Sequence, residues 1–304
     1  QNNAVGTQLA LVVSEIAKLE WPSNWSALLP DLVKQARNSA PMPAYRSMGA
    51  LAETLAALGA KFKKKERKKL EQGAEQCLAP MAELWQAHLT QTIRHVQIML
   101  EKIGSAGSGN SGENDVCMLL ELSARSTKCL EHILLHGTQD PSKSKECATV
   151  FATIGQALPP LLKQFPTLHA AADKLGGETL ERIAELQAKL ILRLVRIVTR
   201  CQELRPVGFR AFLGPFLKFF LALLHPQAAS DELKQLFAPF AAGASEGEGA
   251  LTFEKLTARA FMFVSSVLVC GEYHGVQPAR GVQNGRLEKS TLAGKRVNVE
   301  QAQK

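Results

Sequence analysis

The sequence has few of the residues from which catalytic, disulfide-bonded or sheet-rich proteins are built. Only 6% of its 304 residues are aromatic, with 3 Trp and 2 Tyr. The six cysteines include no CxxC pair and are much sparser than in a disulfide scaffold. The HExxH pattern does not occur, and the acidic residues form no pair suited to general acid and base roles. We therefore expect no enzyme, and a protein of a reducing compartment.

The chain also lacks a long apolar run and a leader sequence. Its most apolar stretch, residues 209–224, is interrupted by Arg210, Pro215 and Lys218 and is shorter than a bilayer span. No charged segment followed by an apolar segment and a cleavage site opens the chain. We expect a soluble intracellular protein without membrane insertion. Because the chain starts with Gln, directly in helix-like sequence, we also expect a fragment of a longer protein.

What is present favours helices. Hydrophobic residues make up 46% of the chain, and Ala and Leu, which prefer helices, outnumber the β-branched and aromatic residues that prefer strands. The formal charge is +8, but residues 61–69, KFKKKERKK, carry a net charge of +6. The remaining chain is nearly neutral and shows no basic face with interleaved aromatic residues, so nucleic acid is not the expected partner.

The basic run at 61–69 has three interpretations. It is a solvated, self-repelling start of a helix, a patch that meets an acidic protein partner, or a nuclear-localisation or nucleic-acid patch.

Apolar residues recur every three to four positions along most of the chain, which predicts helices. Short polar or proline-containing connections group these helices into five antiparallel pairs. The predicted pairs are 5–20 with 28–36, 44–58 with 67–88 or 103, 116–135 with 145–162, 178–204 with 207–224, and 231–240 with 253–268. Residues 1–270 are thus predicted to form an all-α, HEAT-type helical-repeat solenoid, a right-handed α-α superhelix. We expect a flexible loop at 104–114 and a disordered or non-native tail at 271–304.

One helix offers residues of the types that bind metals. Cys129, His132 and His136 are spaced so that they share a helical face. No fourth ligand is fixed by spacing, and such residues also occur on ordinary amphipathic helices. We expect no metal site and no cofactor.

The first predicted hairpin contains a compact motif. Its residues are Trp21, Pro22, Trp25, Leu29 and Pro30. Pro22 is expected to force the turn, Trp25 to fill the wedge between the two helices, and Pro30 to bend the second helix. This motif, within residues 7–36, resembles the hairpin near the start of karyopherin-β (importin-β) proteins, the importin and exportin receptors.

Later landmarks are most similar to the importin eleven subfamily. They are the helix at 45–58, the Lys/Arg-rich linker, the residues Leu84, Trp85 and His88, and the segment 251–254 that opens an apolar helix. The resemblance implies a fragment that lacks the N-terminal repeats and the C-terminal part of such a receptor.

The resemblance implies a nuclear transport receptor that shuttles between cytoplasm and nucleus. Such a receptor binds protein cargo, passes the nuclear pore by contacts with Phe-Gly nucleoporins, and releases cargo when Ran GTPase in its GTP form binds. The subfamily suggests ubiquitin-conjugating enzymes or ribosomal proteins as cargo. The residues carried over as partner contacts are Asp31, Lys34 and Gln35 for the GTPase, and Lys64, Lys65, Lys68 and Lys69 for a partner. We expect the Ran site to be incomplete in this fragment.

Two other functions remain open from the residues alone. One is a generic HEAT-repeat interaction scaffold with no transport role. The other is a nucleic-acid-associated helical protein that uses the basic run at 61–69.

Overall fold

A computed structural model describes residues 2–60, 64–105, 112–175, 177–241 and 251–273. These residues form helices and short connections, with no strand among them. The helices are α1 (Asn2–Glu20), α2 (Leu28–Asn38), α3 (Pro41–Gly59), α4 (Lys64–Ser105), α5 (Glu113–Gly137), α6 (Lys145–Leu175), α7 (Glu178–Leu204), α8 (Pro206–Leu224), α9 (Asp231–Ala241) and α10 (Phe253–Val269). The all-α prediction is confirmed.

The helices stack in two layers, as in a HEAT-like solenoid. In one layer α1, α3, α5, α7 and α10 follow one another, and in the other α2, α4, α6 and α9 do so. Helix α8 packs against α7, α9 and α10. Between the layers the closest neighbours are α2 with α3, α4 with α5, and α6 with α7. The sequence predicted that α1 pairs with α2, α3 with α4, and α5 with α6, so each observed pair is shifted by one helix along the chain. The shift arises because α4 and α6, with 42 and 31 residues, extend along the next helix of the other layer.

Several predicted boundaries differ from the observed ones. Helix α6 continues to Leu175, past three internal prolines and beyond the predicted end at residue 162. Phe165 and Leu168 are buried in this extension, so tertiary packing outweighs the local cost of proline. Of the segment predicted as a loop at 104–114, residues 104 and 105 belong to α4, and residues 113 and 114 belong to α5. Residues 106–111 lie outside the described chain.

The tail predicted at 271–304 is described only at its beginning. Residues Gly271–Tyr273 form a turn of 3₁₀ helix, and residues 274–304 lie outside the described part of the chain.

Helix α8 is longer than expected from its sequence. Its 19 residues are long and apolar enough to cross a membrane by length and composition, so the expectation that this stretch is too short is corrected. A core helix of a soluble protein can have the same length and apolar composition. Three phenylalanines of α8, Phe209, Phe216 and Phe220, are buried. Phe209 and Phe220 each lie within aromatic contact distance of Phe263 in α10, and this cluster forms the core of the C-terminal half.

The turn of the first hairpin lies where the sequence predicted it. Helix α1 ends at Glu20, and the backbone N–H of Asn24 donates to the carbonyl of Glu20 at 2.8 Å across the turn that contains Pro22. The two tryptophans of the motif differ in burial. Trp21 is buried, whereas Trp25 is only partly buried against the core.

Trp21 and Leu29 both pack against Gly73 of α4. A Cβ at residue 73 would lie 2.9 Å from the Trp21 ring and 3.3 Å from Leu29, so the absence of a side chain makes room for both. Pro30 was predicted to bend α2. It lies in the first turn, where its missing N–H has no partner within the helix in any case.

Helix α1 packs on α3 through small residues. Ala10, Ser14 and Ala17 are buried, while the large apolar residues of the predicted stripe face away from α3. The exposed members of this stripe, the α1 outer stripe, are Val5, Leu9, Val12, Ile16 and Leu19. Thus the stripe exists, but no described residue covers it.

Candidate functional site

The solvent-facing side of α2 carries the three residues proposed to meet a GTPase. Because Val33 and Ala36 face the core, Asp31, Lys34 and Gln35 lie on the opposite, exposed side. The side-chain oxygen of Gln35 accepts a hydrogen bond from the Ser47 hydroxyl of α3 at 3.4 Å. Within the described part of the chain, Asp31 and Lys34 form no ion pair. The α2 face is therefore available to a partner.

The basic run is only partly described. Lys64 and Lys65 belong to the first turn of α4, but their side chains and residues 61–63 lie outside the description. Lys68 and Lys69 are exposed.

Lys68 faces a polar cavity of about 630 Å³ between α4 and the connection from α5 to α6. Four carboxylates line this cavity with it: Glu71, Glu75, Asp140 and Glu146. The acidic lining offsets the charge of Lys68, so Lys69 is the better of the two contacts for an acidic partner.

The two candidate sets lie at different places along α4. Leu29 packs beside Gly73, and Arg37 pairs with Glu83 at 2.9 Å, so α2 runs alongside residues 73–83 of α4. The basic residues at 64–69 lie before this region. The structure therefore does not bring the α2 face and the basic run together in one contact.

Cys129, His132 and His136 lie on α5 and are buried or half-buried. No group of three potential metal ligands is found among the described residues. The Cys129 thiol donates to the backbone carbonyl of Met48 at 3.0 Å, and burial raises its pKa to about 12. Burial, together with nearby His136, lowers the pKa of His132 to about 4. All three are packing residues, and the two imidazole rings stack with centroids 6.1 Å apart.

A group of cations on α5 and α7 was missed from the sequence. The two helices lie side by side, and α7 side chains reach across to α5. Arg196 pairs with Glu131 at 2.8 Å, Arg205 donates to the Thr138 carbonyl at 3.1 Å, and Arg193 donates to the Ala124 carbonyl. We call the resulting surface the cation strip, and its residues are Arg125, Lys128, Arg193, Arg196, Arg200 and Arg205.

Positively charged side chains lie close to one another within the cation strip. Burial lowers the pKa of Arg193; Glu131 opposes this shift, and neighbouring Arg125 and Arg196 add to it. At the other end, burial lowers the pKa of His136, and Arg67, Arg205 and Arg200 act in the same direction. Since Arg67 belongs to the basic run, the run adjoins the cation strip.

The sequence carried a weak signal for this surface. Arg193, Arg196 and Arg200 are spaced three and four residues apart, which places them on one face of a helix. The α5 groups that Arg193 and Arg196 contact are more than 50 residues away in sequence, so the sequence alone did not reveal this surface.

The N-terminal region matches a known protein family. Residues 2–107 match the family model described as Exportin 1-like protein. The chain is also similar to Importin-11 of Mus musculus, with 23% identity over 217 residues that cover 71% of this chain and 20% of that protein. Importin-11 of Homo sapiens is 23% identical over 190 residues, which cover 62% of the chain and 18% of that protein. No solved structure matches the chain.

The family match and the fold agree. The chain spans about a fifth of the length of the curated relatives it matches. Its matched N-terminal region contains α1 and α2, which include the segment that resembles karyopherin-β receptors. The two-layered helical stack extends this likeness beyond residue 107. By these findings, the chain is similar to proteins of the importin-β family.

Proposed function

We propose that this chain is part of a nuclear transport receptor that binds protein cargo and Ran GTPase in its GTP form. Proteins of the importin-β family are transport receptors rather than enzymes. The observation that carries the proposal is the exposed polar face of α2, which lies within the family-matched residues. Asp31 and Lys34, which form no ion pair among the described residues, are the charged groups that this face presents to the GTPase.

The α1 outer stripe supports contact with Phe-Gly nucleoporins. Five large aliphatic residues lie exposed along one side of this helix. A shallow aliphatic surface binds aromatic side chains through apolar burial, without requiring a charged partner. Weak, repeated contacts of this kind suit passage through the nuclear pore.

Cargo binding requires a different surface. Lys69 and the adjoining cation strip are both positively charged. They therefore favour cargo with an acidic patch. Ubiquitin-conjugating enzymes and ribosomal proteins are the first cargo candidates, on the strength of the likeness to Importin-11. A receptor of this kind shuttles between cytoplasm and nucleus.

The proposal is tested by binding to Ran in its two nucleotide states. The longest natural form of the protein is immobilised and incubated with Ran loaded with a non-hydrolysable GTP analogue or with GDP. We expect the GTP-state complex to be favoured about 5- to 150-fold, the usual range of an allosteric coupling. The triple variant D31A/K34A/Q35A should weaken the GTP-state complex.

The matched control is K218A, which removes an exposed cation from α8. This variant should leave Ran binding unchanged. Equal binding of both nucleotide states, or none of either, would contradict the transport function. Loss of binding in the control but not in the triple variant would remove α2 as the site.

A further inference from the structure

The cation strip contains more positive charge than its own carboxylates neutralise. Lys128 pairs with Glu53 of α3 at 2.6 Å, and Arg196 pairs with the buried Glu131. The four remaining guanidinium groups, those of Arg125, Arg193, Arg200 and Arg205, form no ion pair with a carboxylate in the described part of the chain. Four positive charges on two adjacent helices are therefore left for an external anion.

Three of these guanidinium groups are fixed in place by neutral partners. Arg125 lies over the Tyr45 ring at 4.5 Å from its centroid and donates to the Tyr45 hydroxyl at 2.6 Å. Arg193 donates to the Ala124 carbonyl of α5, and Arg205 donates to the carbonyl of Thr138, the residue that follows α5. Such contacts hold the side chains without consuming their charge. A guanidinium that is already ordered loses less conformational entropy when a carboxylate binds.

The arrangement fits an acidic peptide segment better than a nucleic acid. Glu53 and Glu131 lie within the strip and would repel a continuous phosphate backbone. Base stacking needs an exposed aromatic face, but Arg125 covers the Tyr45 ring. In contrast, separate carboxylates can each meet a guanidinium through paired hydrogen bonds.

We propose that the cation strip on α5 and α7 is a docking surface for an acidic segment of a protein partner. The side chains of the partner that make contact are Asp or Glu carboxylates, which meet Arg125, Arg193, Arg200 and Arg205. This surface is distinct from the α2 face and does not depend on Ran binding.

The test uses a fluorescein-labelled octaglutamate peptide as the probe and measures fluorescence anisotropy with the whole chain. An octalysine peptide is the negative control, and a labelled 20-nucleotide single-stranded DNA tests the nucleic-acid alternative. We expect octaglutamate to bind, octalysine not to bind, and octaglutamate binding to weaken steeply as salt is raised.

The deciding variant is R200E, because Arg200 is exposed and its replacement leaves no described ion pair broken. We expect it to weaken octaglutamate binding about 10-fold, as expected for loss of an interfacial charge contact. The matched control K218E makes the same charge change on α8 and should weaken binding less than 2-fold. A second variant, R193Q, should weaken binding in the same direction, with thermal melting used to verify its fold.

Three results would overturn the proposal. The first is the absence of octaglutamate binding. The second is an equal loss in R200E and K218E, which would indicate a general effect of net charge. The third is tighter binding of the DNA than of octaglutamate with the same sensitivity to R200E, which would assign the strip to nucleic acid.

Discussion

Helices α1 and α7 belong to the same layer and have similar amphipathic periods, yet they use their apolar residues differently. α7 has neighbours on both sides, α5 and α10, and on the other layer α6. Its apolar residues, such as Ile183, Leu190 and Leu194, are buried, and charged residues occupy the remaining face. α1 contacts α3 through small residues and leaves its large apolar residues exposed.

The difference shows that periodicity predicts a helix and its apolar face, but does not identify what covers that face. In a stacked array a central helix is covered on both sides, while a helix at the end of the described stack is covered on one. Burial therefore depends on position in the array as well as on sequence. Substitutions in the middle of the stack should cost far more than similar ones on α1.

The largest contrast is expected between Trp85 and Leu19. Trp85 is fully buried between α4 and α5, and its indole N–H donates to the Thr127 hydroxyl at 3.0 Å. W85A should lower the free energy of unfolding by about 3–5 kcal/mol, because it leaves a large cavity. Leu19 is 83% exposed, so L19A should change the free energy of unfolding by less than about 0.5 kcal/mol.

Urea denaturation followed by circular dichroism measures both changes. W85F is the milder control, since it keeps much of the buried volume while removing the hydrogen bond to Thr127. If L19A destabilises the chain as much as W85A, the α1 outer stripe is covered in solution, and sedimentation velocity would then identify self-association as the cause.

The middle of the array also carries a buried titratable group that α1 lacks. His132 protonates near pH 6.5 in the unfolded chain but near pH 4 when folded. Burial is the main cause of the lowered pKa of His132. The pKa is lowered further by His136, Lys128 and Arg196, whereas Glu53 raises it. Between these pH values the unfolded chain binds more protons, so stability falls as pH decreases from about 6.5 to about 4. The shift corresponds to about 3 kcal/mol.

Unfolding measured from pH 7 to pH 4 checks this expectation. H132Q removes the titrating imidazole, so its stability should fall less over this range than that of the parent chain. His88 and His136, whose pKa values are also lowered, continue to titrate in the variant. Identical pH dependence in the two proteins would show that the pKa of His132 does not change on folding.

Sequence reasoning located the helices well but judged proline poorly. The helix boundaries follow from apolar spacing, which is a local property of the chain. Pro166 was expected to lie beyond the end of α6, yet the burial of Phe165 and Leu168 keeps the helix continuous. Pro30 was expected to bend α2, but a first-turn position imposes no bend.

The candidate site was harder to predict from the sequence than the fold. The exposure of Asp31, Lys34 and Gln35 follows from the apolar spacing of α2, and all three are exposed in the structure. The cation strip depends on the register between α5 and α7, which brings Arg196 beside Glu131. No local pattern specifies that register, because it results from packing between helices that are distant in sequence.

The smallest expected contrast concerns two glycines, Gly137 and Gly6. A Cβ at Gly137 would lie 2.7 Å from the backbone nitrogen of Glu75 in α4. Because backbone atoms cannot move aside cheaply, G137A should destabilise the chain by about 1–3 kcal/mol. At Gly6 of α1 the nearest atom is Cγ of Arg46 at 3.6 Å, an ordinary contact.

G6A should therefore stabilise α1 by up to about 1 kcal/mol, since alanine is the better helix former. Opposite signs for the same chemical change would show directly that the middle of the array is closely packed and that α1 has free space beside it. Thermal melting and amide hydrogen exchange of α1 measure the two effects separately. Destabilisation by G6A comparable to that of G137A would instead require a covering partner close to α1, and the distinction between the two helices would then fail.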